Sequence, residues 1–153
     1  EDAFQQARIL VQRIKNNPKI NVMKQWKLIT IFFGANDICS AQCFNPEHFS
    51  PLRYAHHLRR TLDYLKFVLP RTLVNVVPAI VCMQMLRFPL EYREAPYVAY
   101  CTHFTALACT KMSHLYQQAI EALIYSGRYD KSSDFTVVLQ PFSKLFNAPN
   151  ADP

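Results

Sequence analysis

Gly34, Asn36 and Asp37 are the residues whose types and spacing come closest to a chemical site in this sequence. They close the stretch Thr30-Ile31-Phe32-Phe33-Gly34-Ala35-Asn36-Asp37, where an apolar run stops abruptly on a glycine and two side chains rich in hydrogen-bonding capacity. Glycine lets the backbone turn sharply or approach a ligand closely. The Asn36 amide donates a hydrogen bond without bringing a charge, which suits an oxyanion. Removing one preorganised oxyanion donor costs about 10²–10³ in rate, so an amide held in place can matter to acyl transfer. Gly-x-Asn-Asp is also ordinary turn chemistry, because Asn and Asp bond to nearby backbone and tolerate left-handed conformations. The residue types alone leave both readings open.

The elements that must position these residues are legible from periodicity. Leu28-Ile29-Thr30-Ile31-Phe32-Phe33 is nearly all β-branched or aromatic, the pattern of a parallel-sheet strand buried on both faces. In open α/β sheets ligands gather beyond the carboxyl ends of such strands, which places residues 34 to 37 where chemistry usually sits. Ahead of the strand, Phe4, Ala7, Leu10, Val11 and Ile14 recur at helical spacing, and Asn16-Asn17-Pro18 ends that helix. After residues 39 to 49, which read as irregular, Ser50 is a helix cap with Pro51 in the first turn. Leu52, Ala55, Leu58, Leu62, Leu65 and Leu69 form its apolar stripe, and Pro70 stops it. Leu73-Val74-Asn75-Val76-Val77 reads as the next strand, joined by a right-handed crossover.

Pro78, Pro89 and Pro96 interrupt residues 78 to 110, which read as an excursion over the sheet edge. Its Met83, Met85, Phe88, Tyr92, Tyr97 and Phe104 suit either core packing or an adaptable acyl-chain surface. Helical spacing resumes over residues 112 to 125, Gly127 stops it, and Phe135-Thr136-Val137-Val138-Leu139 is a third strand. Residues 141 to 153 read as loop. The whole is an α/β chain with a parallel sheet.

At 153 residues, half of them apolar, the chain fits one domain with a substantial core. Two glycines against ten prolines is odd for an α/β enzyme, so either the turns use other residues or segments are missing. The net charge is +6, but the cations are scattered from Arg8 to Arg71 without a dense run. Nucleic-acid binding is not expected, whereas attraction to an anionic lipid surface fits the same charge. No stretch reaches the roughly 18 uninterrupted apolar residues of a membrane span. The acidic start Glu1-Asp2-Ala3-Phe4 carries no signal peptide and is expected for the interior of a longer protein. Cys39, Cys43, Cys82, Cys101 and Cys109 match no paired zinc motif, so no metal site is expected. An odd count leaves one unpaired, and reduced core cysteines are one reading of them.

Trp26-Lys27-Leu28-Ile29-Thr30-Ile31-Phe32-Phe33-Gly34-Ala35-Asn36-Asp37-Ile38-Cys39, followed by Cys43 and Asn45-Pro46-Glu47, closely resembles the third conserved block of the phospholipase B-like branch of GDSL (SGNH) lipases and esterases. Leu69-Pro70-Arg71-Thr72-Leu73-Val74-Asn75-Val76-Val77 and Asp134-Phe135-Thr136-Val137-Val138-Leu139-Gln140-Pro141-Phe142 resemble later segments of that family in the same order. Ala35 stands where phospholipase B-like members usually have a second glycine, a position the broader pattern leaves variable. The resemblance implies a three-layer SGNH-hydrolase-like (flavodoxin-like) fold, a parallel sheet flanked by helices and incomplete here, with residues 1–153 as one partial domain. It implies a serine ester hydrolase acting on acyl esters of phospholipids or lysophospholipids without metal or organic cofactor. Asn36 would be the oxyanion donor, Gly34 the backbone of the oxyanion loop, and Asp37 a support for the turn.

Such an enzyme also needs a nucleophilic serine and an oriented histidine. The family carries these in Gly-Asp-Ser and Asp-x-x-His motifs, neither of which occurs in this sequence. The resemblance places the first upstream of Glu1 and the second downstream of Pro153, so the chain alone is expected to be inactive. His48, His56, His57, His103 and His114 lie beside no suitable serine in the sequence and are read as solvent-facing or structurally satisfied. The resemblance further implies an extracellular or exported protein, membrane-anchored or in peripheral contact with a membrane at full length, with Cys39 or Cys43 and the Cys101/Cys109 pair available for disulfides. The rival expectation is a noncatalytic lipid- or partner-binding α/β module that has lost the triad.

Overall fold

A computed structural model of the chain describes residues 2–38, 45–78 and 106–144. Helix α1 (Asp2–Asn16) leads through a loop to strand β1 (Lys27–Phe32), then come helix α2 (Pro51–Val68), strand β2 (Thr72–Val77), helix α3 (Ala106–Ile124), strand β3 (Phe135–Leu139) and a 3-10 turn (Pro141–Lys144). The three strands form one parallel sheet in the order β1-β2-β3. Ile29 lies opposite Val74 and Val74 opposite Val137, while Ile31, Val76 and Leu139 form a second row.

Each strand is followed by a helix and the next strand lies one place further along, so the chain advances across the sheet in a single direction. With crossovers of uniform hand, that order puts the helices on the same face. The core has this form. Ala7 and Val11 of α1, Leu58, Leu62 and Leu65 of α2, and Ile120 and Ile124 of α3 pack on Ile29, Ile31, Val74, Val76, Phe135, Val137 and Leu139.

This arrangement corrects the expectation that β1 is buried on both faces. Its burial alternates along the strand, and Leu28 and Phe32 are 66% and 51% exposed. An apolar run records that a strand is apolar on both sides, not that both sides are covered, and the described helices all pack against the other face. The stripe expected on α2 is also narrower. Leu58, Leu62, Leu65 and Leu69 are buried, but Leu52, in the first turn of α2, is 80% exposed.

Helix α3 begins at Ala106, inside the stretch read as an excursion, and Pro141–Lys144 forms a 3-10 turn where loop was expected. The expected acyl-chain surface from Met83 to Phe104 and the expected disulfides lie outside the residues whose side chains are described. The caps follow the sequence. Ser50 Oγ accepts from the Arg53 amide at 3.4 Å, with Pro51 opening the helix.

At the amino-terminal edge of the sheet the buried Lys27 donates through Nζ to the carbonyls of Val22 (2.6 Å) and Gln25 (2.9 Å). Burial, reinforced by the Arg71 guanidinium and opposed by Asp134, holds its ammonium pKa below the usual lysine value. The turn after α3 is tied to α2 by Arg128, whose Nε and second terminal nitrogen each approach the Asp63 carboxylate at 2.8 Å, with the Tyr129 phenol donating to the same group at 3.1 Å.

The Arg128 hydrogen bonds, helped by the Tyr129 phenol, hold the Asp63 carboxyl below its usual range against an opposing desolvation cost. A depressed carboxylate stabilises the fold above its unfolded pKa, near 4, and loses that contribution as pH falls through the lower folded value. Because the pair is largely solvated, the stabilisation is about 1 kcal/mol at most. Asp63→Asn is therefore expected to lower stability at neutral pH by that amount, and the gap to the parent closes under acid. Thermal melts of both proteins against pH check this. A gap that widens on acidification would contradict it.

Candidate active site

Phe32 pairs with Val77 at the last rung of the β1/β2 ladder. The described ladder ends at that rung, and Phe33 lies beyond it. Gly34 then adopts φ 104°, a backbone conformation that side-chain-bearing residues rarely take. The chain enters a short helical turn over residues 35–38, closed by the Ile38 amide donating to the Gly34 carbonyl at 3.0 Å. Ile38 is fully buried against Tyr116, Tyr54 and Met112, so the far end of the turn is pinned to α2 and α3.

A cavity of about 440 Å³ opens at this carboxyl end of β1. Gly34, Ala35, Asn36 and Asp37 form one wall, and His48, Phe49, Tyr54, His57, Leu58 and Tyr116 line the rest together with the ends of α1 and β1. Two tyrosines hold the backbone on either side. Tyr54 Oη, from the first turn of α2, donates to the Phe33 carbonyl at 3.0 Å, and Tyr116 Oη, from α3, donates to the Phe49 carbonyl. Their rings pack with centroids 5.0 Å apart. Burial pushes both phenols well above the usual tyrosine pKa, and the nearby Asp37 carboxylate adds to the effect, so both are neutral donors at any physiological pH.

Asp37 itself is held above the usual carboxylate range, chiefly by burial, with Asp2 acting in the same direction and His48 opposing. Asn36 is exposed on the lip of the cavity. The wall thus presents a side-chain amide at its mouth and a partly desolvated carboxylate further in. Among the described residues no group of three or more His, Cys, Asp or Glu side chains is arranged to hold a metal ion.

The family model described as GDSL-like Lipase/Acylhydrolase matches residues 1–152. The chain belongs to this family. Curated relatives are named membrane-associated phospholipase B1. That of Mus musculus is 38% identical over 97% of this chain and 10% of its own length, and that of Homo sapiens is 32% identical over 97% of this chain and 11% of its own. The Rattus norvegicus protein of the same name is 34% identical over 96% of this chain. The chain spans about one tenth of the length of the curated relatives it matches. No solved structure matches it. Among the described residues no helix is long and apolar enough to cross a membrane.

In this GDSL-family chain the residues singled out by sequence, Gly34, Asn36 and Asp37, do share one cavity at a strand end. His48 and His57 join them on the same cavity although the sequence assigned them no place there. His56 and His114 are exposed, with His56 Nδ1 3.3 Å from an Arg59 guanidinium nitrogen, and His103 lies outside the described residues. Tyr54 and Tyr116 were missed entirely. A local signal for them exists, since Tyr54 is in i, i+4 register with Leu58 and Leu62, and Tyr116 with Ile120 and Ile124. Each therefore continues a buried stripe to the end of the sheet where the cavity opens.

Proposed function

We propose that this GDSL chain is the oxyanion-hole part of a lipid ester hydrolase acting on phospholipids, lysophospholipids or related acyl esters through an acyl-serine intermediate. The observation that carries the reading is the exit of β1, where Gly34 turns the chain so that Asn36 stands on the lip of a cavity at the strand's carboxyl end. That is where α/β enzymes gather their ligands, and the family's chemistry supports an acyl substrate there.

In this mechanism a serine hydroxyl, its proton taken by a histidine, attacks the ester carbonyl. Negative charge develops on the carbonyl oxygen, and the Asn36 Nδ2 hydrogens stabilise it without bringing a charge that would repel substrate or compete for the histidine. Collapse expels the alcohol with a proton from the histidine, and water then attacks the acyl-serine by the same route. Asp37 shapes the turn that carries Asn36. The serine and the Asp-x-x-His pair come from chain flanking these 153 residues, so that residues 1–153 form one part of a single hydrolase domain. Neither metal nor organic cofactor is used. The net charge of +6 supports contact with an anionic membrane surface, and the names of the relatives support a membrane-associated setting.

Assaying this chain and a longer one carrying the flanking motifs on a short-chain ester tests the proposal. Turnover is expected only from the longer chain. Binding of lipid vesicles with no turnover from either would favour a noncatalytic binding module that has lost the triad.

A further inference from the structure

Phe33 is the point at which β1 leaves the sheet, one residue past Phe32–Val77, the last paired rung of the β1/β2 ladder. The peptide that joins Phe33 to Gly34 therefore lies beyond the paired register of the two strands. Tyr54 takes over, reaching from 21 residues away to donate to the Phe33 carbonyl at 3.0 Å. In a trans peptide the carbonyl and the following amide point in opposite directions, so fixing one fixes the other. This matters because Gly34, at φ 104°, has a wide range of backbone conformations open to it and stands between the strand and Asn36.

Tyr54 is well suited to the task. Its ring is wedged against Tyr116, whose own hydroxyl is engaged by the Phe49 carbonyl, so neither ring is free to swing. The far end of the 35–38 turn is separately anchored by Ile38 in the same apolar cluster. The turn bearing Asn36 is thus gripped at both ends, by a hydrogen bond before Gly34 and by packing after Asp37.

We propose that Tyr54 is a positioning residue for ester hydrolysis: its phenol fixes the Phe33–Gly34 peptide and thereby the direction in which the Asn36 amide points. This rests on the reading of Asn36 as the oxyanion donor. A donor misplaced by a fraction of an ångström loses most of its transition-state advantage while substrate still binds.

The test is a double-mutant cycle in the full-length protein, with kcat expressed per active site titrated by a fluorophosphonate so that unfolded molecules do not count. Tyr54→Phe keeps the ring and deletes only the donor. It is expected to lower kcat by about tenfold or more with KM within about twofold. In an Asn36→Ala background the same change is expected to cost less than about twofold, because the group it positions is gone. Tyr129→Phe, which deletes a buried phenol bonded to Asp63 at the opposite end of the sheet, is expected to leave kcat unchanged.

Full activity of Tyr54→Phe alongside an impaired Asn36→Ala would overturn the positioning role and leave the oxyanion reading intact. An equal loss from Tyr54→Phe in both backgrounds would also overturn it, as would a matching loss from Tyr129→Phe. Full activity of Asn36→Ala would overturn the oxyanion reading and this inference with it.

Discussion

Asn36→Ala in the full-length protein is expected to lower kcat on a short-chain ester by about 10²–10³-fold, or about 2.7–4 kcal/mol of transition-state stabilisation, with KM nearly unchanged. The selectivity for kcat follows from when the charge exists. A ground-state ester carbonyl is a weak acceptor, whereas the tetrahedral intermediate carries a full negative charge, so an amide aimed at that position contributes mostly after the nucleophile has attacked. The fold should not suffer, because Asn36 is exposed on a cavity lip and belongs to neither apolar cluster. Asn36→Asp should be at least as damaging, since it replaces a donor with a charge of the wrong sign next to the partly desolvated Asp37. Steady-state kinetics with active-site titration measures all of this. An unchanged turnover number for Asn36→Ala would remove the oxyanion assignment.

Leu62→Ala is expected to destabilise the fold by about 3 kcal/mol, within the usual range of about 2–5 for a leucine emptied from a packed core. Leu62 is fully buried in the middle of α2, among side chains contributed by α1, α3 and all three strands. Set against a typical total of about 5–15 kcal/mol for a domain, the loss is large. Leu52→Ala, on the same helix and of the same chemistry, should cost less than about 0.5 kcal/mol, since Leu52 is 80% exposed. Amide hydrogen exchange at Val74 and Val76 reads the stability of this region inside a longer chain. Equal effects from the two leucines would contradict the observed packing.

The leucine pair also marks the boundary of what periodicity conveys. Leu52, Leu58, Leu62, Leu65 and Leu69 are indistinguishable as a stripe, and four of them are buried. The first is not, because periodicity records spacing along the helix and carries no information on which turns another element covers. The same limit applies to β1. Its boundaries were legible to within one residue, yet the exposure of Leu28 and Phe32 depends on all described helices lying across one face.

The candidate site divides along a similar line. Gly34, Asn36 and Asp37 were visible because their chemistry interrupts an apolar run within four residues, and the family resemblance, drawn from short contiguous blocks, located them in the same place. Tyr54 was not visible as a site residue. Its phenol looks like one more aromatic on an amphipathic helix until α2 is laid beside the end of β1, where its partner proves to be a main-chain carbonyl 21 residues earlier. The clasp of Asp63 by Arg128 and Tyr129 spans more than 60 residues and leaves no local trace at all.

By itself, then, the sequence determined the order and type of the main elements, the strand end at which the cavity opens, and membership of the GDSL-like lipase and acylhydrolase family, because each of these is written in contiguous residues through periodicity, caps and motif blocks. Only the tertiary structure decided which face of the sheet is covered, which apolar side chains are spent on the core, and that Tyr54 and Tyr116 brace the cavity wall. Those outcomes depend on the direction in which the chain crosses its sheet and on hydrogen bonds to backbone carbonyls, and a carbonyl is the same chemical group whichever residue bears it.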